Sequence, residues 1–374
     1  MGEGVIEVAH ATSDALGPAI RAERRDQVLA AVMTGHHEVG LQEVPKPTLQ
    51  NDTDALIRTT ATMICTSDVH QVAGYFPACG PFIIGHEFVG VVEEVGSAVK
   101  SFKPGDRVLA PPYVYCGNCE MCRKGISGLC PNGTVFGHGE IFGDLPGGLA
   151  EYVRAPLAES ALVAIPDGVT DDEAVFVGDM VATGYFGVMN ADVKEGQTLA
   201  IFGAGPVGLC ALQLARLQGP SEIILVGRRA YRLEAGSTMG ATVVIDEAEQ
   251  DPVAEILKLT DGRGVDSVID AVGSAESIHS ACEVIGIGGT VSIIGFPQAG
   301  DVGFPLQSMM LKNPTIRMGV TDQSNMKLLL GLLEGGDVDV SALMSHVMPL
   351  SEFDKAFKMF AEKEDNCMKV VLKP

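Results

Sequence analysis

The stretch TLAIFGAGPVGLCALQLARLQG, residues 198–219, begins as an apolar strand, turns on glycines and continues as an apolar helix. A bare G-x-G-x-x-G spacing would carry little weight among 45 glycines. Here the strand before it and the helix after it supply the context of a dinucleotide-binding turn. Gly203 permits the tight turn, Gly205 lets the backbone approach a pyrophosphate, and Gly208 lets helix and strand pack closely. Pro206 and Val207 complete the turn, and the helix start presents free N–H groups to phosphate oxygens. Downstream, EIILVG, TVVID, VDSVID, TVSIIG and TIRMG alternate with helical segments. That alternation predicts a doubly wound parallel sheet of the α/β class.

The second of these strands predicts which dinucleotide is bound. An NAD site places an Asp or Glu about 20 residues after the glycines, on the adenosine ribose. This chain reads VGRRAYR, with Gly227, Arg228 and Arg229 and no carboxylate before Glu234. Glycine leaves room for a 2′-phosphate and guanidinium is suited to bind it, so NADP(H) is expected over NAD(H). The alternative is a solvated turn.

With 374 residues, the chain is longer than one core usually serves, and two domains are expected. From about residue 28 to 182, short Val-, Ile-, Gly- and Pro-rich runs suggest a compact β-rich domain. Residues 183–322 form the dinucleotide-binding domain, and 323–374 return to the first, ending in the strand MKVVLKP. Residues 1–27 read as an extension. No apolar run approaches the roughly 18 residues of a membrane span, and the N-terminus lacks the basic and apolar regions of a signal peptide. A cytoplasmic protein is expected. The 26 Lys plus Arg against 48 Asp plus Glu leave a charge of -22, which argues against nucleic acid as a partner.

Four of the nine cysteines cluster in CGNCEMCRKGISGLC. Cys116, Cys119, Cys122 and Cys130 can wrap one tetrahedral zinc with no position left open, so the site should be structural. An iron–sulfur cluster would also use four thiolates, but no redox motif accompanies these. Elsewhere, VFVGDMVATGYFG (175–187) carries one full charge, Asp179, in an otherwise apolar or neutral segment. A buried carboxylate needs a counter-charge, donors or a metal.

ICTSDVH (64–70), GHEFVGVVEEVG (85–96), FKPGDRV (102–108), the cysteine lobe and GDMVATGYFG…GAGPVG, in this order, resemble the zinc-dependent medium-chain alcohol dehydrogenase family. The resemblance implies a GroES-like catalytic domain beside a Rossmann coenzyme domain, and two zinc ions, one catalytic and one structural. It implies Cys65, His86 and Asp179 as catalytic zinc ligands and Glu87 as a fourth or transient one. An aspartate at 179 with Cys-Thr-Ser-Asp at 65–68 is similar to NADP-dependent secondary-alcohol dehydrogenases, although many of those lack the four-cysteine lobe. The function expected is hydride transfer between NADP(H) and a small alcohol or carbonyl compound. In that chemistry Ser67 would hydrogen-bond the substrate oxygen, His70 would pass the proton to solvent, and Asp68 would orient His86. By the same resemblance Thr66 and Thr183 would meet the cofactor's phosphate and nicotinamide ends, and the backbone at Ile294 and Gly295 its carboxamide. Members of this family form dimers or tetramers, and a homotetramer is expected. A polyol or amino-alcohol dehydrogenase of the same superfamily is the competing enzyme; a non-catalytic zinc- and nucleotide-binding protein is the competing class. The remaining histidines (His10, His36, His37, His138, His279, His346) and cysteines (Cys79, Cys210, Cys282, Cys367) fall outside every matched motif and read as structural or surface residues.

Overall fold

The computed structural model describes residues 26–76, 80–297 and 301–374. The first 25 residues, His10 and Cys79 lie outside them. The chain divides into two compact units: one runs to Asp179 and takes back Asp322–Glu334 and Leu343–Pro374, and the other holds Met180–Thr321 and Gly335–Ala342.

The first unit is β-rich. Its main sheet has the strand Ala55–Met63 at the centre, with Glu87–Val95 and Tyr152–Ala155 antiparallel to it and the C-terminal strand Lys369–Lys373 completing its pairing. A smaller sheet joins Gln27–Gly35, Glu38–Pro45 and Phe82–Ile83. Two registers position the site. Met63 pairs with Glu87, so the residues just past one strand lie beside the first residues of the next. Val371 also pairs with Met63, which brings the chain's end to the same place. The helix Phe353–Glu362 buries Phe353, Ala356, Phe357 and Phe360, the i, i+3, i+4, i+7 stripe of an amphipathic helix. That stripe packs into a core with Ile64, Val72, Ile84 and Leu372.

The second unit is the expected doubly wound sheet. Its six parallel strands run in the order Val243–Asp246, Glu222–Gly227, Thr198–Phe202, Val265–Asp270, Ile285–Ile293, Thr315–Met318. All six apolar runs of the sequence are strands. The order reverses between Thr198–Phe202 and Val265–Asp270, and a crevice at such a switch point is where ligands bind in open α/β sheets. The fold is therefore a GroES-like β domain with a Rossmann domain.

Candidate active site and metal centres

Cys65 follows the strand Ala55–Met63 by two residues and caps the helix Thr66–Val72. His86 and Glu87 open the neighbouring strand, and the register above sets them beside Cys65. Asp179 arrives on Val177–Val181, a π-helical turn running into the helix Ala182–Ala191. Such turns recur at functional sites because the extra residue redirects a side chain. The result is a cluster in which one ligand atom each from Cys65, His86, Glu87 and Asp179 lies within 4.8 Å of the others. Asp179 Oδ2 is 3.5 Å from Cys65 Sγ and 3.8 Å from His86 Nε2. Around it Val177, Met180 and Val181 are buried, while the Asp179 side chain keeps 21% of its exposure. The carboxylate is thus not sealed in its apolar segment, as the sequence suggests, but turned out of it toward the cluster.

The surroundings prepare these groups. Asp68 Oδ2 accepts the Cys65 N–H at 2.7 Å, while Oδ1 faces His86 Nδ1 at 3.5 Å. Both atoms of that second pair are buried, and neither has a hydrogen bond among the described residues. Ser67 Oγ lies 3.4 Å from His86 Nε2. Burial pushes the Cys65 thiol up to about 11, and the Glu87 and Asp179 charges push the same way. Burial lowers His86, but Asp68 and Cys65 overcome it and hold the ring well above its ordinary value. Burial would raise Asp179, and the His86 ring overrides it and keeps the carboxyl below the usual range. Glu87 is carried by burial up to about 7, against the pull of Lys369. A thiol, an imidazole and two carboxylates at this spacing form a donor set that fits zinc, and a cation there would favour the thiolate outright.

The four-cysteine lobe forms a second cluster. Its sulfurs are separated by 3.5 Å (Cys119 to Cys122), 3.6 Å (Cys116 to Cys130) and 3.8 Å (Cys119 to Cys130). A zinc tetrahedron with bonds of about 2.3 Å has edges of about 3.8 Å, so the lobe fits that ion. The Asn132 amide and the Asn118 backbone N–H lower the Cys116 thiol to about 6.

At the glycine turn, Gly203 has φ of +108°, and a Cβ there would lie 2.9 Å from Val272 Cγ2. Gly205 caps the helix Pro206–Arg216 and is open on its outer side, where the nearest atom to a Cβ would be Arg232 Nη1 at 3.7 Å. At Gly227 a Cβ would strike Ala204 Cβ at 2.6 Å, so glycine is also required for close packing on the turn. Arg228 is exposed and bound to Glu247 at 2.7 Å; Arg229 is exposed with φ of +71°. Thr183 Oγ1 is 3.1 Å from Thr321 Oγ1, Thr66 is exposed, and the Ile294 and Gly295 N–H groups both donate to the Asp270 carbonyl at 2.9 Å.

Residues 51–167 match the family model of the alcohol dehydrogenase GroES-like domain, and residues 206–334 that of the zinc-binding dehydrogenases. An alcohol dehydrogenase of Cupriavidus necator is 36% identical over 361 residues, covering 92% of this chain and 98% of the relative. The chain belongs to the zinc-dependent medium-chain alcohol dehydrogenase family. An alcohol dehydrogenase from Thermus sp. ATN1 superimposes with a TM-score of 0.88 at 36% identity, covering 92% of this chain and 99% of the other. A protein from Sinorhizobium meliloti, described as a zinc-binding dehydrogenase and solved with NADP bound, gives 0.83 at 29% identity over 93% and 99% of the two chains. The activity is that of an alcohol dehydrogenase, an oxidoreductase, and no helix among the described residues is long and apolar enough to cross a membrane.

Three residues of this alcohol dehydrogenase escape sequence reasoning. Lys369 donates to both Glu87 oxygens, at 2.6 and 2.8 Å, and to the Ile64 carbonyl at 2.8 Å. The His138 ring centroid is 4.9 Å from that of His86, and burial, then His86, lowers His138 to about 4, leaving it neutral. Arg232 stands by Gly205. Lys369 and His138 sit in no spacing pattern; Arg232 could have been found as a third cation in VGRRAYR.

Proposed function

We propose that this alcohol dehydrogenase transfers a hydride between NADP(H) and a small, secondary alcohol or its ketone. The observation that carries the reading is the convergence of Cys65, His86, Glu87 and Asp179, with Ser67 against His86 and His70 on the same helix. In this reading Cys65, His86 and Asp179 hold the catalytic zinc, Glu87 is a fourth or transient ligand, and Cys116, Cys119, Cys122 and Cys130 hold a structural one. Zinc supplies Lewis acidity to the substrate oxygen, and the dinucleotide supplies or takes the hydride. Asp68 faces His86 Nδ1 and so directs the ring's other nitrogen into the cluster. Ser67 Oγ holds the proton of the substrate hydroxyl, and His70 relays it. Burial, then Lys363, keeps His70 below its ordinary value, so it is neutral and ready to accept a proton at pH 7.

Arg228, Arg229 and Arg232 after the second strand support NADP(H), as does the NADP-bound relative. The Arg228–Glu247 pair favours the NAD reading, because it occupies one of the cations. Initial rates with methyl ketones and aldehydes, each with NADPH and NADH, separate these readings. A strong NADPH preference on small methyl ketones is expected. Turnover mainly with NADH would overturn the cofactor assignment, and no turnover in zinc-replete protein would overturn the catalytic one.

A further inference from the structure

Asp270 ends the strand Val265–Asp270 at the switch point, is fully buried and has no ion pair among the described residues. Its side chain reaches forward along the chain: Oδ1 accepts the Val272 N–H at 3.2 Å and Oδ2 the Gly273 N–H at 3.0 Å. Its carbonyl reaches sideways, accepting the N–H groups of Ile294 and Gly295 at 2.9 Å each. The two loops also touch backbone to backbone. Gly273 has φ of +78°, and a Cβ there would lie 2.6 Å from the Gly295 carbonyl carbon; a Cβ on Gly295 would lie 2.2 Å from Gly273 N.

We propose that Asp270 is a positioning residue for the nicotinamide end of the cofactor: its carboxylate fixes Val272 and Gly273, and these brace the Ile294–Gly295 backbone. The proposal rests on the reading of Ile294 and Gly295 as the carboxamide contact. A buried carboxylate accepting two backbone N–H groups holds a loop more firmly than its protonated form, which has less charge to offer them. Burial pushes the Asp270 carboxyl up to about 6, against the stabilising Ser277 hydroxyl and the N–H groups of Val272 and Gly273. Its titratable neighbour is Cys282 on the helix Ala275–Val284; burial carries that thiol to about 11, so it stays neutral. Lys312 is turned away to the carbonyls of Cys282 and Glu283.

The test is binding of NADPH and of 2′-phospho-ADP-ribose to the zinc-loaded enzyme between pH 5 and 7, for wild type and Asp270→Asn. The fragment carries the same titrating phosphate and lacks the nicotinamide. Between pH 7 and pH 5 the ionised fraction of a group titrating near 6 falls about tenfold. NADPH affinity should therefore fall relative to the fragment by up to about tenfold in wild type, and the ratio should be flat in Asp270→Asn, with kcat at saturating NADPH changed less than KM. A wild-type ratio independent of pH would overturn the proposal, as would an unchanged profile in the variant or an equal loss for both ligands. Binding of neither ligand to wild type would instead overturn the cofactor reading beneath it. The wild-type comparison stands even where the variant does not fold.

Discussion

Removing the Lys369 charge should be costly out of proportion to its position five residues from the chain's end. The Lys369 side chain is 3% exposed, and its partner Glu87 is fully buried, with a bidentate contact of 2.6 and 2.8 Å and a third bond to the Ile64 carbonyl. In Lys369→Met the side-chain volume is nearly kept, so the loss is electrostatic. Glu87, carried up to about 7 even with Lys369 in place, loses its counter-charge and must either keep a buried charge beside Asp179 and Cys65 or take up a proton. Breaking a buried pair in this way costs about 3–5 kcal/mol. For a unit of this size the melting temperature should fall on the order of 10 °C. Adding Glu87→Gln removes the stranded charge, and the double variant should regain most of the loss, because replacing both members of a buried pair is often near neutral. Urea unfolding of the zinc-loaded enzyme followed by circular dichroism gives both numbers. A single variant that loses less than about 1 kcal/mol would refute the reasoning, and so would a double variant no more stable than the single one.

Other outcomes follow from the same geometry. Cys122→Ser should lower the metal content from two zinc ions per chain to one, since two donor clusters are present; a count of one in both wild type and variant by elemental analysis would mean that the lobe holds no ion. His70→Asn should slow alcohol oxidation at least about tenfold and remove an acid-side limb of the pH–rate profile. The sign is set by burial, which with Lys363 depresses His70: the ring accepts a proton above its lowered value and is blocked below it, so wild-type rates fall only below the ordinary histidine range. An identical limb in the variant would assign that proton to another group. Gly227→Ala drives a Cβ to 2.6 Å from Ala204 Cβ and should cost about 1–3 kcal/mol, with weaker NADPH binding by fluorescence titration. Unchanged stability would show that the turn yields without penalty.

The parts of the molecule legible in the chain are those whose partners are close in sequence. The four central strands of the Rossmann domain appear as apolar runs because a strand buried on both faces needs no alternation, whereas the edge strands Val243–Asp246 and Thr315–Met318 are apolar but partly exposed. The glycine turn is legible because backbone conformation and close approach leave few residues that fit. Four thiols within fifteen residues can meet only around one point. The cluster around Cys65 is different. Cys65 and Asp179 are 114 positions apart and Glu87 and Lys369 are 282, so no spacing reports their contact, and the resemblance alone suggested the first pair.

What the amino-acid order determined by itself is therefore local: the Rossmann fold, the glycine turn, the cysteine lobe and the residue types from which a zinc site could be built. Tertiary structure decided which of those residues meet. The pairing of Met63 with both Glu87 and Val371 brings Cys65, His86, Glu87 and Lys369 to one place. A π-helical turn aims Asp179 at them, and the packing of Ala204 gives Gly227 a purpose that no spacing reports. Strand register and helix phase are properties of the folded sheet and core, since a one-residue slip would send each of these side chains to the opposite face.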